Sequence, residues 1–187
     1  TIPGSRQWKL HPPSGKRSVV KLPTPLRKEQ VLGFPTIGKL GLALETVFRG
    51  AGVSCVGPVP VTNQTVELGQ ELAPEFICYP MTVTIGQMRQ CLEAGANTLV
   101  MVAGKGRCRL GWYAEIQELL LKKAGYDFTM VSIGSPFPLR RNYRSFAQAV
   151  GQIFGGKSIS GALNSALLAY SKSLRLEQGD QLLYKLR

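Results

Sequence analysis

The sequence predicts an α/β protein with a mostly parallel sheet, and three observations carry that expectation. Short apolar runs alternate with helix-period segments from Val31 to Ile133. The strongest run, Thr98 to Ala103, is Thr-Leu-Val-Met-Val-Ala with no polar alternation, as in a strand buried on both faces. Glycines stand where the helical patterns stop, at Gly52, Gly95 and Gly125.

Val31-Leu32-Gly33-Phe34-Pro35 reads as a first strand closed by a turn. From Gly38, a helix places Leu40, Leu44, Val47, Phe48 and Ala51 on one face. Val53 to Val56 is a second strand, closed by Gly57, Pro58 and Pro60, and Thr62 or Asn63 caps a short helix running to Leu72. Pro80 to Ala94 carries Met81, Ile85, Met88 and Leu92 on one face and leads into the strand at Thr98. A helix from about Gly111 to Ala124 follows, with Ile116, Leu119 and Leu120 expected inward and Glu118 paired with Lys122 outward. Asp127 to Ile133 is a fourth strand. This succession is that of a doubly wound sheet with right-handed crossovers, a flavodoxin- or Rossmann-like half domain over 31–138.

Two flanks complete the organisation. Residues 1–30 hold Pro3, Pro12, Pro13, Pro23 and Pro25 among basic side chains and read as an extended arm. Residues 139–187 read as two helices, one marked by Tyr143, Phe146, Val150 and Phe154, the other by Leu163, Leu167, Leu168, Tyr170 and Leu174. That apolar surface must pack on the domain, on a second copy or on another segment, so a homo-oligomer or larger assembly is expected. The absence of an initiator Met and the helical pattern still running at Arg187 read as a piece of a longer protein.

The net charge of +12 belongs to the flanks. Residues 1–30 carry seven Lys/Arg against one acid, and 139–187 carry eight against two, whereas 31–138 carry eight against eight. Basic flanks suit nucleic acid, an anionic surface or an acidic partner, but no nucleic-acid reading module accompanies them. No run of 18 apolar residues exists and the first 30 residues do not form a signal peptide, which gives the expectation of a soluble, cytoplasmic protein without a membrane span. The single histidine, His11, lies in the arm, so a Ser-His or Cys-His catalytic pair inside the domain is excluded.

Chemistry is expected at the carboxyl ends of the strands. Gly104-Lys105-Gly106-Arg107-Cys108-Arg109-Leu110-Gly111 leaves the strongest strand and enters a helix. Its glycines admit close backbone approach, and Lys105, Arg107 and Arg109 surround a helix start, which makes it a candidate anion site. It is neither a Walker A loop nor a dinucleotide fingerprint, since the Gly-Lys-Ser/Thr ending is absent and Arg109 occupies the third glycine position. Cys78, at the start of the Pro80 helix, is expected at the same edge as Cys108, and two thiols there are candidate metal ligands. Cys91 and Cys55 read as small buried hydrophobes.

Several segments together carry a resemblance. Pro74-Glu75-Phe76-Ile77-Cys78-Tyr79-Pro80, Leu92-Glu93-Ala94-Gly95-Ala96, the run from Gly104 to Gln117 and Gly125-Tyr126-Asp127-Phe128 are similar to the acyl-CoA dehydratase activase-related proteins, small relatives of the 2-hydroxyacyl-CoA dehydratase iron–sulfur subunits. The resemblance covers about residues 31–133. It implies a [4Fe-4S] cluster held in part by Cys78 and Cys108, while the Gly104–Gly111 loop is expected to take a CoA-like or other anionic ligand. Lys105 stands where the family pattern has a further cysteine, and Arg107 where it has proline. Either a partner or further segment completes the cluster, or this member keeps only a basic pocket. A non-enzymatic anion-binding or scaffold module is the alternative, with nucleic-acid binding through the basic arms third.

Overall fold

β-Branched and apolar residues with few competing turn formers set the four strands. β1 is Val31–Gly33, β2 Ser54–Val56, β3 Thr98–Val102 and β4 Thr129–Ile133. A computed structural model of the chain describes residues 29–38, 40–104, 108–135, 139–155 and 159–185. The strands form one all-parallel sheet in the order β2-β1-β3-β4. β3 and β4 pair along their whole lengths, from Thr98 opposite Thr129 to Val102 opposite Ile133. β3 is buried from Thr98 to Met101, as its unbroken apolar run predicts. The doubly wound fold expected from the sequence is the fold observed.

The connections follow from handedness. The chain leaves β1 through α1 (Leu40–Gly50) to β2, then reverses across β1 to reach β3 and continues outward to β4. A right-handed crossover in one direction lies on the opposite face from a right-handed crossover in the other. α1 therefore covers one face, with Phe48 packed into a cluster of Leu32, Phe34, Val100, Val131, Ala149 and Ile153. α2 (Asn63–Gln70), α3 (Tyr79–Glu93) and α4 (Tyr113–Lys123) serve the other face, where Met81, Ile85, Met88, Leu99, Met101 and Leu121 form the larger core. Burying each such side chain contributes roughly 1.5–3 kcal/mol. The reversal between β1 and β3 puts the topological switch point of the sheet at their carboxyl ends.

Two contacts fix the helices on the larger face. α2 starts with a capping box, in which the Thr62 side chain accepts from the Thr65 backbone amide and the Thr65 hydroxyl accepts from the Thr62 amide. α2 then lies against α3 almost backbone to backbone: a Cβ on Gly69 would stand 2.0 Å from the Thr82 carbonyl oxygen, and one on Gly86 2.0 Å from that of Thr65. Only glycine fits either place. The helix stops read from the sequence are also real, since Gly52, Gly95 and Gly125 all have positive φ.

Three sequence expectations about helix faces are corrected. In α4, Leu119 is exposed, whereas Ile116 and Leu120 are half-buried against the larger core as expected, and the most deeply buried positions are Tyr113, Ala114, Gln117 and Leu121. In α5 (Leu139–Phe154), Tyr143 is exposed, while Ala149 and Ile153 are buried against the α1 side of the sheet. In α6 (Ile159–Lys185), Leu167, Leu168, Tyr170 and Leu174 all face solvent, the buried positions among the described side chains are Ser165 and Ala169, and the side chain of Leu163 lies outside those described. α6 packs on α1 rather than on the sheet, through small residues that let two helix backbones approach closely. Glu118 and Lys122 pair outward as expected, at 2.5 Å. Among the described residues no helix is long and apolar enough to cross a membrane. The arm, residues 1–28 with His11, lies outside the described residues.

Candidate functional site

The loop after β1 is held open by a buried amide. Gln87, fully buried on α3, accepts from the Thr36 backbone N–H at 3.1 Å through Oε1 and donates to the Val59 carbonyl through Nε2. The Thr36 hydroxyl donates to the same carbonyl at 3.0 Å. The loops after β1 and β2 are thus tied to one side chain. α3 begins at the same carboxyl edge, with Cys78 as its N-cap residue and Pro80 in its first turn, where the missing N–H costs nothing. Cys108 occupies the equivalent place before the 3₁₀ turn Arg109–Trp112 that opens α4.

The residue that joins these two starts is Tyr113. It is 3% exposed, and its Oη lies 2.6 Å from Cys78 Sγ. Burial, the Cys78 hydrogen bond and the charges of Cys78 and Cys108 push the phenol up to about 12, against an opposing pull from Arg109. Two cysteines thirty positions apart in the chain therefore act on one phenol. One turn deeper, Gln117 Nε2 donates to Thr84 Oγ1 at 2.8 Å, and Thr84 donates to the Pro80 carbonyl at 2.8 Å. α3 and α4 are laced together below the thiols. Gln117 is fully buried, and its Oε1 has no partner among the described residues, which suits an internal water.

Around the thiols the surface is unusually aromatic. Phe76, two residues before Cys78, is 96% exposed and has φ of +62°, a conformation that costs a non-glycine residue of order 1–3 kcal/mol. Tyr79, next to Cys78, and Trp112, next to Tyr113, are exposed as well. Cys78 is half-buried and Cys108 exposed, and both are free thiols, as are Cys55 and Cys91. Cys91 is fully buried, and that burial raises its thiol to about 11.

The Gly104–Gly111 segment closes on itself. A Cβ on Gly111 would stand 2.2 Å from the Gly104 carbonyl oxygen, so the two ends of the loop touch and position 111 must be glycine. Gly111 N–H donates to the Cys108 carbonyl at 3.3 Å, which removes one of the free amides expected of this helix start. Arg109 begins the 3₁₀ turn and acts on Tyr113, beside the thiols. Lys105, Gly106 and Arg107 lie outside the described residues.

A four-iron cluster needs four ligands, and Cys78 and Cys108 offer two. Among the described residues no group of three His, Cys, Asp or Glu side chains is arranged to hold a metal ion. The described residues alone therefore do not fit such a cluster. No family model, curated protein or solved structure matches the chain.

Sequence reasoning pointed to both cysteines and to Arg109 but missed Tyr113, Thr84, Gln117 and Gln87. A helical count through Tyr113, Ala114, Gln117 and Leu121 would have found two of them, because those four positions make one stripe.

Proposed function

We propose that this chain is a half-site for a thiolate-bound metal or iron–sulfur cluster, related to the 2-hydroxyacyl-CoA dehydratase iron–sulfur subunits, and that it works inside an assembly which supplies the remaining ligands. The supporting observation is the contact of Cys78 Sγ with Tyr113 Oη at the carboxyl edge of the sheet, with the charge of Cys108 acting on the same phenol. Exposed Phe76, Tyr79 and Trp112 beside the thiols support a partner at this edge, since apolar rings gathered on a surface mark contact sites. When bound, a cluster there would supply one-electron chemistry. The chain's own contribution would be two ligands, a phenol hydrogen bond to one of them, and a rigid pair of helix starts.

The experiment is anaerobic purification, with and without iron and sulfide reconstitution, of the chain and of its Cys78→Ser and Cys108→Ser variants. Iron and sulfide in stoichiometric amount, with visible absorption lost in both variants, is the expected result. Metal content unaffected by both substitutions would remove the reading.

A second reading rests on the closed Gly104–Gly111 loop beside Arg109: a pocket for an anion such as the phosphate of a CoA-like ligand, without a cluster. Each charge-assisted hydrogen bond there would contribute about 1.5–3 kcal/mol. Calorimetric titration with CoA and inorganic phosphate, against the parent and Lys105→Ala, separates it from the first, because only this reading survives in metal-free protein.

A further inference from the structure

On the opposite side of the molecule, α6 and α1 run antiparallel. Ser165 sits on Gly50, Lys172 Nζ is 3.5 Å from Thr46 Oγ1, and Leu176 reaches the level of Leu42. Ser165 and Ala169 hold the helices close at one end of this pair. Toward the other end a groove of about 420 Å³ lies between them, lined by residues of both helices. That volume lies in the range of small-ligand sites, roughly 300–1,000 Å³.

The groove has two chemistries. Leu42, Ala43 and Leu176 make its floor apolar, while Lys172 and Arg175 stand on its α6 rim. The one carboxylate in the lining, Glu45, is engaged by Arg49 of the same helix at 2.8 Å, so the rim is left with an excess of positive charge. The Lys172 contact with Thr46 is long and exposed and leaves the ammonium free to take a better acceptor. A neutral apolar molecule would gain nothing from the two cations, and a bare anion would leave the apolar floor wet.

We infer that the groove between α1 and α6 binds a single-chain anionic amphiphile, a fatty carboxylate whose head meets Lys172 and Arg175 and whose chain lies on Leu42, Ala43 and Leu176. This site is independent of the thiol edge. It sits on the other face of the sheet and uses none of the same residues, so either reading can fail without the other.

The test is calorimetric titration of the full chain with decanoate, beside decanol, acetate and inorganic phosphate, with backbone amide shifts recorded by NMR. Saturable one-to-one binding of decanoate is expected, with shifts concentrated at Leu42–Thr46 and Lys172–Leu176. Decanol, acetate and phosphate should each bind at least about tenfold more weakly, and Lys172→Gln with Arg175→Gln should weaken decanoate by roughly tenfold or more. Both cations are exposed, so that variant should keep its fold, which circular dichroism checks. Ala43→Trp fills the floor and should abolish binding. Decanol binding as tightly as decanoate, an unchanged affinity in the charge variant, shifts confined to other elements, or no binding below about 1 mM would each overturn the inference.

Discussion

On one face of the sheet α1 and α5 seal the core with hydrocarbon: Phe34 meets Phe48 edge to face at 5.3 Å, Phe48 meets Phe154 at 6.2 Å, and Leu32, Val100, Val131 and Ile153 fill the remainder. On the other face α2, α3 and α4 are held by Met, Ile and Leu but also by buried amides and hydroxyls. Gln87 ties two loops, Thr65 donates to Gln90 at 2.9 Å, and Gln117 meets Thr84. Hydrocarbon packing resists unfolding without fixing rotation or register closely, whereas directional bonds fix where a helix begins. The site helices, α3 and α4, belong to the second face. That face spends stability on placement, and the first supplies it.

The largest expected effect tests the first face. Phe48→Ala removes a ring that is 2% exposed and should cost about 3–5 kcal/mol in denaturant unfolding. In protein that remains folded at low temperature, the Tyr113 phenol should titrate as in the parent. A changed titration would mean that the faces are not separable.

Next in size is a pH effect on the second face. Desolvation raises the Cys91 thiol from 9.0 to about 11, and the Phe34 carbonyl, at 3.9 Å, opposes it weakly. Because the folded state holds this proton more tightly than the unfolded chain, the associated stability is complete below about pH 9 and is lost as pH rises toward 11. The displacement corresponds to roughly 2–3 kcal/mol. Unfolding free energies measured across that window should fall more steeply for the parent than for Cys91→Ala. Parallel curves would show that Cys91 does not titrate from its buried site.

Gly86→Ala probes the α2–α3 contact and should cost about 1–3 kcal/mol, since the new methyl meets the Thr65 carbonyl backbone rather than a movable side chain. Gly151→Ala, where a Cβ meets nothing, serves as the control and should not destabilise. Equal losses in the two would break the claim that backbone proximity places α3.

The sequence carried the strands, the crossover order and the helix stops because each has a local cause: an apolar run, a handedness rule, a glycine that takes positive φ. It misled about helix faces wherever leucine count and burial diverge. α6 turns Ser165 and Ala169 inward and leaves Leu167 and Tyr170 in solvent, since close helix packing on α1 selects small residues, not large ones. Cys78 and Cys108 were readable from their places beside a strand end. Tyr113 was not, because its importance lies in a contact across thirty-five residues that no local pattern encodes.

That contact gives the smallest effect and the sharpest test. Tyr113→Phe removes one hydrogen bond to Cys78 and should cost only about 0.5–1.5 kcal/mol near neutral pH. Its signature lies in tyrosinate absorbance after a rapid pH jump, read before unfolding. The parent should show one of its six tyrosines ionising near pH 12, and the variant should lack that step. Because burial, the Cys78 bond and the charges of both thiolates all raise this phenol, Cys78→Ser and Cys108→Ser should each move the step to lower pH, Cys78→Ser further since it alone makes the bond. Arg109→Gln should move it upward, because the guanidinium favours the phenolate. A step that ignores Cys108→Ser would separate the two cysteines and leave Cys78 and Tyr113 as a pair without a second thiol, which no shared ligand set could use.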